Sequence, residues 1–427
     1  MAACLLLAAC GGAAAPAGSA GGHVDLTFWH TRTQGDAVAL NDLVTKFNSS
    51  HPDITIKPEY VGDYNQEYQK LLAAAKGGGL PEISVAYDNV IADLMKANVV
   101  VPLDQYVNDP KVGLSKDSLD DIFPAFLDDG KFSQFNNQLL AFPFSKSLLM
   151  AYYDLDLLNA AGVDQPPQTW DDFALALGKL DGYAKSRTMP WNGAWAYNPD
   201  ASHVDFEIMS RGGKLISDDA SKVAFNNNQA LQAMTFDAQA FKSGQAYLYQ
   251  NLDWQNDFVA QKNAAHFDSS TGYAFIQPLV NQAPKPFKFV AVAPPNAPGQ
   301  QVTVMYGPNV AIFKSDPQKQ AASWEFIKWF TEADQTAQWS IKTHYLPVRK
   351  SAAAGVDFKR ELDASQALKA AFDLLPYAKA EPAPAGWQQV RDVLTNMATS
   401  VATNKAPPQA ALDAAEKKAN AALAEAK

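Results

Sequence analysis

The order of extended and helical segments is the feature that most constrains this chain. After His23, an apolar run from Val24 to Trp29 is followed by apolar residues at helical spacing between Leu40 and Phe47, and a second extended run begins at Ile54. This order is typical of a unit whose two strands lie parallel in one sheet. We therefore predict an α/β fold whose sheets are mostly parallel and covered by helices on both faces.

The alternation continues along the chain. Asp63 and Gln66 have the spacing of a capping box at a helix start, and a strand is predicted from Ile83 to Tyr87. Extended runs are predicted from Leu139 to Tyr153, from Phe287 to Val292 and from Val302 to Phe313. Helices are predicted after Pro166–Trp170, after Asp316 with Pro317, and over Gln409–Lys427.

Length and charge narrow the possible partners. A chain of 427 residues is too long for one usual hydrophobic core, so two domains are expected. Its net charge of -10 repels polyanions, which excludes nucleic acid as an expected partner. After residue 10, no apolar run approaches the roughly 20 residues that a membrane-spanning helix needs.

Both cysteines lie in the first ten residues. The rest of the chain therefore has no thiol for a disulfide, a zinc site or a cysteine nucleophile. The segment Leu7–Cys10 resembles the lipobox of bacterial lipoproteins, so a lipid-modified Cys10 is expected to be the only attachment to a membrane. Residues 1–22 then form a signal segment and a flexible tether, and the alternative is a plain disordered tail.

Catalytic patterns are missing from the sequence. It has no phosphate-binding P-loop, no G-x-S-x-G nucleophile motif and no histidine pair at i, i+4, so neither an enzyme, a cofactor nor a metal site is expected. The pairs Asp171–Asp172 and Asp218–Asp219 are more typical of helix starts than of a glycosidase. Nine Trp, 15 Tyr and 23 Phe are more typical of a binding cleft, with Trp191 and Trp195 as candidates for its wall.

Four segments carry a family resemblance. Phe28–His30, Ala141–Ser145 ahead of Tyr152–Asp154, Pro166–Trp170 and Tyr345–Val348 are similar in order and spacing to the extracellular solute-binding proteins of ABC importers for sugars and polyols. The resemblance implies a two-lobed fold with hinge crossings near Pro143, near Pro294 and after Tyr345. One lobe is then 23–143 with 294–345, and the other is 144–293 with 346–427.

Within that family, the chain most resembles the members that bind glycerol-3-phosphate. Local motifs that match theirs imply ligand contacts, and these are Tyr64, Asp88, Ser147, Ser270, Gly307, Tyr345 and Arg391. Asp88 stands where glutamate is usual. Serine hydroxyls and a guanidinium suit a phosphate, and a carboxylate suits the glycerol hydroxyls. Taken alone, however, Arg391 is also typical of a solvated helix, Ser270 of an N-cap and Asp88 of a turn.

The resemblance implies a monomeric binding protein, lipid-anchored outside the cytoplasm, that closes on its ligand and delivers it to an ABC permease. The expected ligand is glycerol-3-phosphate or a glycerophosphodiester such as glycerophosphocholine. An oligosaccharide of the maltose or trehalose type is the alternative within the family. A secreted glycoside hydrolase or phosphodiesterase is the alternative from another class.

Overall fold

A computed structural model describes residues 22–249 and 253–426 of the chain. The lipobox at Cys10 and most of the predicted tether lie outside these residues. The strands of the described part are β1 (Val24–His30), β2 (Ile54–Tyr60), β3 (Ile83–Ala86), β4 (Lys131–Phe132), β5 (Gln138–Leu139), β6 (Phe142–Pro143), β7 (Ser147–Asp154), β8 (Trp195–Tyr197), β9 (Ala246–Leu248), β10 (Ala265–Ser269), β11 (Phe289–Val292), β12 (Thr303–Tyr306), β13 (Asn309–Ile312) and β14 (Ala378–Lys379).

The helices alternate with these strands and dominate the last third of the chain. In the described residues they are α1 (Gln34–Ser50), α2 (Tyr64–Gly77), α3 (Asp88–Lys96), α4 (Asp104–Val107), α5 (Lys116–Asp120), α6 (Pro124–Asp129), α7 (Leu155–Ala160), α8 (Trp170–Ser186), α9 (Ala201–Met209), α10 (Asn228–Lys242), α11 (Asp253–Val259), α12 (Gly272–Asn281), α13 (Pro317–Phe330), α14 (Ala333–Thr343), α15 (Lys350–Ala354), α16 (Val356–Ala364), α17 (Gln366–Leu374), α18 (Trp387–Ala402) and α19 (Pro408–Glu425).

Local sequence signals account for several helix starts. Asp63 accepts a hydrogen bond from the Gln66 amide while the Gln66 side chain accepts one from the Asp63 amide, which confirms the predicted capping box of α2. Thr169 caps α8 through the Asp172 amide, and Asp316 caps α13 ahead of Pro317. None of the helices in the described ranges is both long and apolar enough to cross a bilayer.

Two sheets organise the fold. The first has five strands in the order β2-β1-β3-β13-β6, and the second has seven, with β14-β12-β7-β10-β8-β9 in order and β11 beside β7. Each sheet has its own apolar core. That of the first contains Phe28, Phe142 and Phe326, and that of the second contains Phe173 and Trp195. The two-lobed α/β class is therefore confirmed.

The sheets are mixed, and not mostly parallel as predicted. Parallel pairing joins β1 to β2 and β3, and β8 to β9 and β10. The long central strand β7 instead pairs antiparallel with β10, β11 and β12, and β13 runs antiparallel to β3 and β6. The chain enters the second sheet through β7 and returns to the first through β12 and β13. Because the returning strands run in the opposite direction, they pair antiparallel with β7 and β3.

The chain changes sheets at three places. It leaves the first sheet after β6 and enters the second at β7 through Phe144–Lys146. It returns between β12 and β13 through Gly307 and Pro308. After Tyr345 in the first core, Leu346 joins the cluster that contains Leu148 and Met150 of β7, and its amide donates to the Lys146 carbonyl. The predicted passages near Pro143 and after Tyr345 agree with this path.

The predicted passage near Pro294 is wrong, and so is a single strand from Val302 to Phe313. β11 and β12 lie one after the other along the same edge of β7, so the proline-rich segment 293–302 is an excursion within one sheet. The predicted strand is instead divided at Gly307 and Pro308, since β12 pairs with β7 and β13 pairs with β3. We therefore propose that the second segment of the first lobe begins near residue 307, and not at residue 294.

Candidate functional site

A cavity of about 760 Å³ lies where the two sheets face each other. This volume lies in the range of small-molecule sites. Its walls are polar and rich in tyrosine. The lining residues are Asp63, Tyr64, Asn65, Tyr68, Tyr87, Asn89, Val90, Ser147, Asn198, Asp200, Ala201, Ser202, His203, Asp268, Ser269, Thr271, Tyr306, Gly307, Tyr345, Gln388, Arg391, Asp392 and Thr395.

The strand ends explain why these side chains converge. Tyr87 directly follows β3, Asn198 directly follows β8, and Asp268 and Ser269 close β10. Helices α2 and α9 begin beside these strand ends, and their first residues, Tyr64 and Ala201, also line the cavity. The carboxyl ends of parallel strands and the helix starts beside them are where α/β sheets bind ligands, so the topology alone favours a ligand site here.

Five of the predicted contact residues line this cavity, namely Tyr64, Ser147, Gly307, Tyr345 and Arg391. They come from the start of α2, the start of β7, the crossing between β12 and β13, the segment after α14, and α18. The structure thus brings together residues that are up to 327 positions apart, between Tyr64 and Arg391. The other four predicted residues, Asp88, Ser270, Trp191 and Trp195, do not line the cavity.

Gly307 is required by the crossing itself. Its φ of +95° lies in the region that favours glycine, and a Cβ atom there would lie 1.9 Å from the Ser145 carbonyl oxygen. The crossings at Phe144–Lys146 and at Gly307–Pro308 are therefore packed backbone to backbone beside the cavity. Lys146 is buried beside them, where it pairs with Asp129 and donates to the Gly307 carbonyl at 3.2 Å.

Hydroxyl groups of three residues form a short network on the second-sheet side of the cavity. Ser269 Oγ donates to Ser147 Oγ at 2.9 Å and lies 2.8 Å from Thr271 Oγ1. The predicted contact Ser270 lies between Ser269 and Thr271 in sequence and is buried. Its amide donates to the Leu148 carbonyl and its Oγ accepts from the Leu148 amide. Because Ser270 continues the pairing of β10 with β7, its neighbours Ser269 and Thr271 face the cavity in its place.

Arg391 is already paired with carboxylates of the protein. Its Nη1 atom donates to both oxygens of Glu381 at 2.6 and 2.7 Å and to Ser202 Oγ at 3.1 Å, and Nη2 lies 3.5 Å from Asp200. Burial alone would lower the pKa of Arg391, but Glu381 and Asp200 raise it above its ordinary value. Arg391 is a fixed cation facing the cavity, and not a solvated helix residue.

Carboxylates outnumber cations in the lining. Arg391 is the one Lys or Arg among the lining residues of the described part, against Asp63, Asp200, Asp268 and Asp392. Burial raises the pKa of Asp268 to about 6, so this group still carries most of a negative charge at neutral pH. Burial would also raise the pKa of Asp200, but Arg391 and His203 hold it below its ordinary value.

Asp88 lies behind the wall of the cavity. Its carboxylate accepts from Asn309 Nδ2 at 2.6 Å, and the same amide donates to Asp129 at 3.0 Å. Burial and the neighbouring Asp129 raise the pKa of Asp88 well above its ordinary value. The Asp88 carboxyl is thus held by Asn309 at the start of β13. The residue after β3 that lines the cavity is Tyr87, one position earlier.

The two predicted wall tryptophans lie elsewhere. Trp195 is 1% exposed and packs edge-on against Phe173 and Tyr197 in the second core. Trp191 precedes β8 and packs against the same core. The cavity lies at the carboxyl end of β8. Trp191 precedes the amino end of β8 and therefore lies at the opposite end of the strand from the cavity. The prediction of these two rings as a cleft wall is therefore corrected.

A second cavity of about 700 Å³ lies away from the crossings, between segments 155–168 and 290–301. Its lining is mainly glutamine, asparagine, proline and aliphatic residues, with no convergent set of charged groups among the described residues. Among all residues that the structure describes, 22–249 and 253–426, no group of three His, Cys, Asp or Glu side chains is placed to hold a metal ion. The cavity between the sheets is thus the stronger candidate.

Several lining residues are not among the predicted contacts. Asn198 and Asp200 precede α9, His203 lies in its first turn, and Tyr306 ends β12 directly before the crossing at Gly307. A signal was present in the segment Asn198 to Ser202, where an aspartate with the spacing of an N-cap follows a short strand of aromatic residues. Glu381 gave no such signal, because only the fold brings it to Arg391.

Comparison with known proteins agrees with this architecture. The family model of bacterial extracellular solute-binding proteins matches residues 42–370. The sn-glycerol-3-phosphate-binding periplasmic protein UgpB of Pectobacterium atrosepticum is 25% identical over 97% of this chain and 95% of its own, and UgpB of Yersinia enterocolitica is 27% identical over 92% and 90%.

Solved structures show the same fold. UgpB from Mycobacterium tuberculosis, in complex with glycerophosphocholine, superposes with a TM-score of 0.82 at 21% identity over 94% of this chain and 98% of its own. The cyclic alpha-maltosyl-1,6-maltose binding protein from Arthrobacter globiformis gives 0.79 at 23% identity over 95% and 100%. The chain therefore belongs to the bacterial extracellular solute-binding proteins, the non-enzymatic, extracytoplasmic components that pass a small solute to the permease of an ABC transporter.

Proposed function

We propose that this protein captures a glycerophosphodiester with a cationic head group, such as glycerophosphocholine. The observation that carries the proposal is the charge pattern of the cavity: one arginine faces it, that arginine is held by Glu381 and Asp200, and further carboxylates lie around it. A ligand with one negative and one positive charge complements such a site. We assign the phosphodiester to Arg391.

Charge separates this ligand from a phosphate monoester. A monoester carries between one and two negative charges at neutral pH, whereas a diester carries one. The second charge of glycerol-3-phosphate would meet Asp200, Glu381 and Asp268 with no further cation among the lining residues of the described part. Glycerol-3-phosphate is therefore the weaker ligand in this proposal.

The head group has suitable partners. The tyrosines Tyr64, Tyr87 and Tyr306 line the cavity, and Tyr64 and Tyr87 meet edge to face at 4.7 Å. Tyrosine faces attract quaternary ammonium groups, and nearby carboxylates such as Asp268 add to that attraction. The names of the relatives are consistent with a phosphoglycerol ligand, since those compared in sequence bind sn-glycerol-3-phosphate and one solved structure contains glycerophosphocholine.

An oligosaccharide is the second candidate. Tyrosine hydroxyls, serine hydroxyls and ionised carboxylates are the hydrogen-bonding groups that a neutral sugar uses, and the cavity has all three. A structural neighbour named for binding a maltose derivative has the same fold. This candidate predicts an affinity that does not depend on Arg391 as an anion partner.

The mode of action follows the fold. We propose that the two lobes close on the ligand through the crossings at Phe144–Lys146, at Gly307–Pro308 and after Tyr345, and that the protein acts as a monomer. We also propose that Cys10 carries a lipid that tethers the protein outside the cytoplasm. Replacement of Cys10 by alanine is then expected to release the protein from the membrane fraction.

Calorimetry on Arg391→Ala tests the ligand. Truncation of one partner of a buried charge-assisted pair costs about 2 to 5 kcal/mol, or roughly 30-fold to several-thousand-fold in affinity for glycerophosphocholine. Arg391→Lys is expected to lie between wild type and alanine, because the charge remains and the fork is lost. Arg360→Ala, which removes an exposed arginine paired with Asp357, serves as the control. An affinity of Arg391→Ala within about threefold of wild type, with the fold intact, contradicts the proposal.

A further inference from the structure

A second arginine lies buried directly behind the tyrosine wall of the cavity. Arg32 follows β1 and is 5% exposed. Its guanidinium carbon lies 4.8 Å from the centre of the Tyr345 ring and 5.9 Å from that of Trp339. Its Nη1 atom donates to the Tyr345 hydroxyl oxygen, while Nε and Nη2 are buried with no hydrogen-bond partner in the described part of the chain.

The groups around Arg32 compensate its charge only in part. The neighbouring carboxyls are Asp36 on α1 and Glu67 on α2, and neither is hydrogen-bonded to Arg32 within the described ranges. Burial raises the pKa of Glu67 to about 8 and that of Asp36 to about 6, and burial lowers the pKa of His30 to about 4. At neutral pH, Glu67 is then mostly protonated and His30 is neutral. Of these neighbours, Asp36 is left to oppose the charge of Arg32, whereas Arg391 touches two carboxylates.

The chemistry of this contact fixes the direction of the Tyr345 hydroxyl. A guanidinium has only donors, so the Tyr345 oxygen must accept from Arg32. The O–H bond of Tyr345 is then left as a donor, and no acceptor for it is found among the described residues. Tyr345 lines the cavity, so that donor is available to a ligand. A hydrogen bond accepted from a cation polarises a hydroxyl and strengthens its own donation.

We propose that Arg32 is a positioning residue that acts through Tyr345: it holds the tyrosine hydroxyl as a strong donor toward an anionic oxygen of the ligand. This inference rests on the proposed function, in which that oxygen belongs to a phosphodiester. The two ligand-directed cations then serve different halves of the protein. Arg391 faces the ligand directly from α18, and Arg32 reaches it through one hydroxyl from the end of β1.

A double-mutant cycle measured by calorimetry with glycerophosphocholine tests the relay. Tyr345→Phe and Arg32→Met are each expected to weaken binding by about tenfold or more. The double variant is expected to bind within about threefold of Tyr345→Phe, because Arg32 has no route to the ligand once the hydroxyl is absent. Losses that multiply in the double variant, or an Arg32→Met affinity within threefold of wild type, overturn the proposal. Arg187→Met is the control, since Arg187 stacks on Tyr183 at the exposed end of α8.

Two further arms keep the test decisive. If Arg32→Met does not fold, the same cycle with Arg32→Gln applies, because glutamine removes the cation, and equal Tyr345→Phe losses in the wild-type and glutamine backgrounds overturn the relay. If wild type binds maltose and not glycerophosphocholine, the proposed function fails by itself. The cycle with maltose then tests whether Arg32 acts on the ligand through Tyr345 with a sugar oxygen as the acceptor: non-multiplying losses support this coupling, and multiplying losses overturn it.

Discussion

At the scale of single residues, the groups around Arg391 are expected to decide which ligand it accepts. Glu381, Asp200 and Asp205 all raise the pKa of Arg391, and Glu381 holds the guanidinium through both of its oxygens. An arginine in this setting offers little net positive charge to an incoming anion, although its geometry still suits one. The acids beside Arg391, as much as the arginine itself, are expected to decide between phosphate monoesters and diesters.

Glu381→Gln is therefore expected to raise the affinity for glycerol-3-phosphate by about tenfold or more, while the affinity for glycerophosphocholine changes less. The substitution removes one negative charge within hydrogen-bond distance of Arg391 and keeps the shape of the side chain. Calorimetry with both ligands gives the ratio. Glu332→Gln, at an exposed position, is the control. An unchanged ratio of the two affinities contradicts this account of specificity.

A second residue-scale prediction concerns pH. Burial raises the pKa of Glu67 from 4.5 to about 8. The folded state therefore favours the protonated carboxyl, so the stabilisation is complete below pH about 4.5 and is lost as the pH rises toward 8, by roughly 3 to 5 kcal/mol. Glu67→Gln keeps the neutral form at every pH. Its free energy of unfolding relative to wild type is expected to rise across this window in denaturant titrations.

The control and the contradicting outcome for Glu67 are simple. Glu332→Gln, at an exposed position, is the control for a change from glutamate to glutamine. A difference between Glu67→Gln and wild type that does not change between pH 4.5 and 8 would mean that the Glu67 carboxyl ionises in the folded protein as easily as in the unfolded chain.

At the scale of elements, the crossings are the critical segments, and Gly307 tests their packing. Gly307→Ala is expected to destabilise the protein by about 3 kcal/mol or more, since a positive φ and a close contact with the Ser145 carbonyl act together. Gly299→Ala is the matched control. It also has a positive φ, but the space that its new methyl group would occupy is open to a distance of 4 Å, so a loss of about 1 kcal/mol is expected. Equal losses by denaturant titration contradict the close packing of the crossings.

Individual elements were well predicted where their signals are local. The helix of Leu40 and Phe47 and the capping box at Asp63 depend on neighbours within one or two turns, and both are present. The sheet to which a strand belongs depends on distant partners. The run Val302 to Phe313 is largely apolar, so its division at Gly307 between two sheets has no local signature except the Gly307–Pro308 pair.

The same distinction holds for the candidate site. Tyr64, Ser147, Gly307, Tyr345 and Arg391 were proposed from family resemblance, and they meet in one cavity. Residues such as Glu381, Arg32 and Asp200 contribute through contacts that span up to 313 positions, as in the bond between Arg32 and Tyr345. The tryptophans were misplaced because a ring near a strand does not indicate which end of the strand carries the ligand.

At the scale of the whole molecule, we propose that the cavity between the sheets binds a glycerophosphodiester and that the lobes close on it. The proposed contacts come from both halves, with Tyr64 and Tyr345 on the side of the first sheet and Arg391 on the side of the second. A ligand held by both halves stabilises the closed arrangement by its differential affinity for it.

Small-angle scattering during a titration with glycerophosphocholine tests this claim most directly. We expect the radius of gyration of the wild-type protein to fall as the ligand saturates, and Arg391→Ala to show no change at the same ligand concentration. Maltose at the same concentration is expected to leave the radius unchanged. A wild-type radius of gyration that stays constant with glycerophosphocholine at saturation, or that falls only with maltose, contradicts the account.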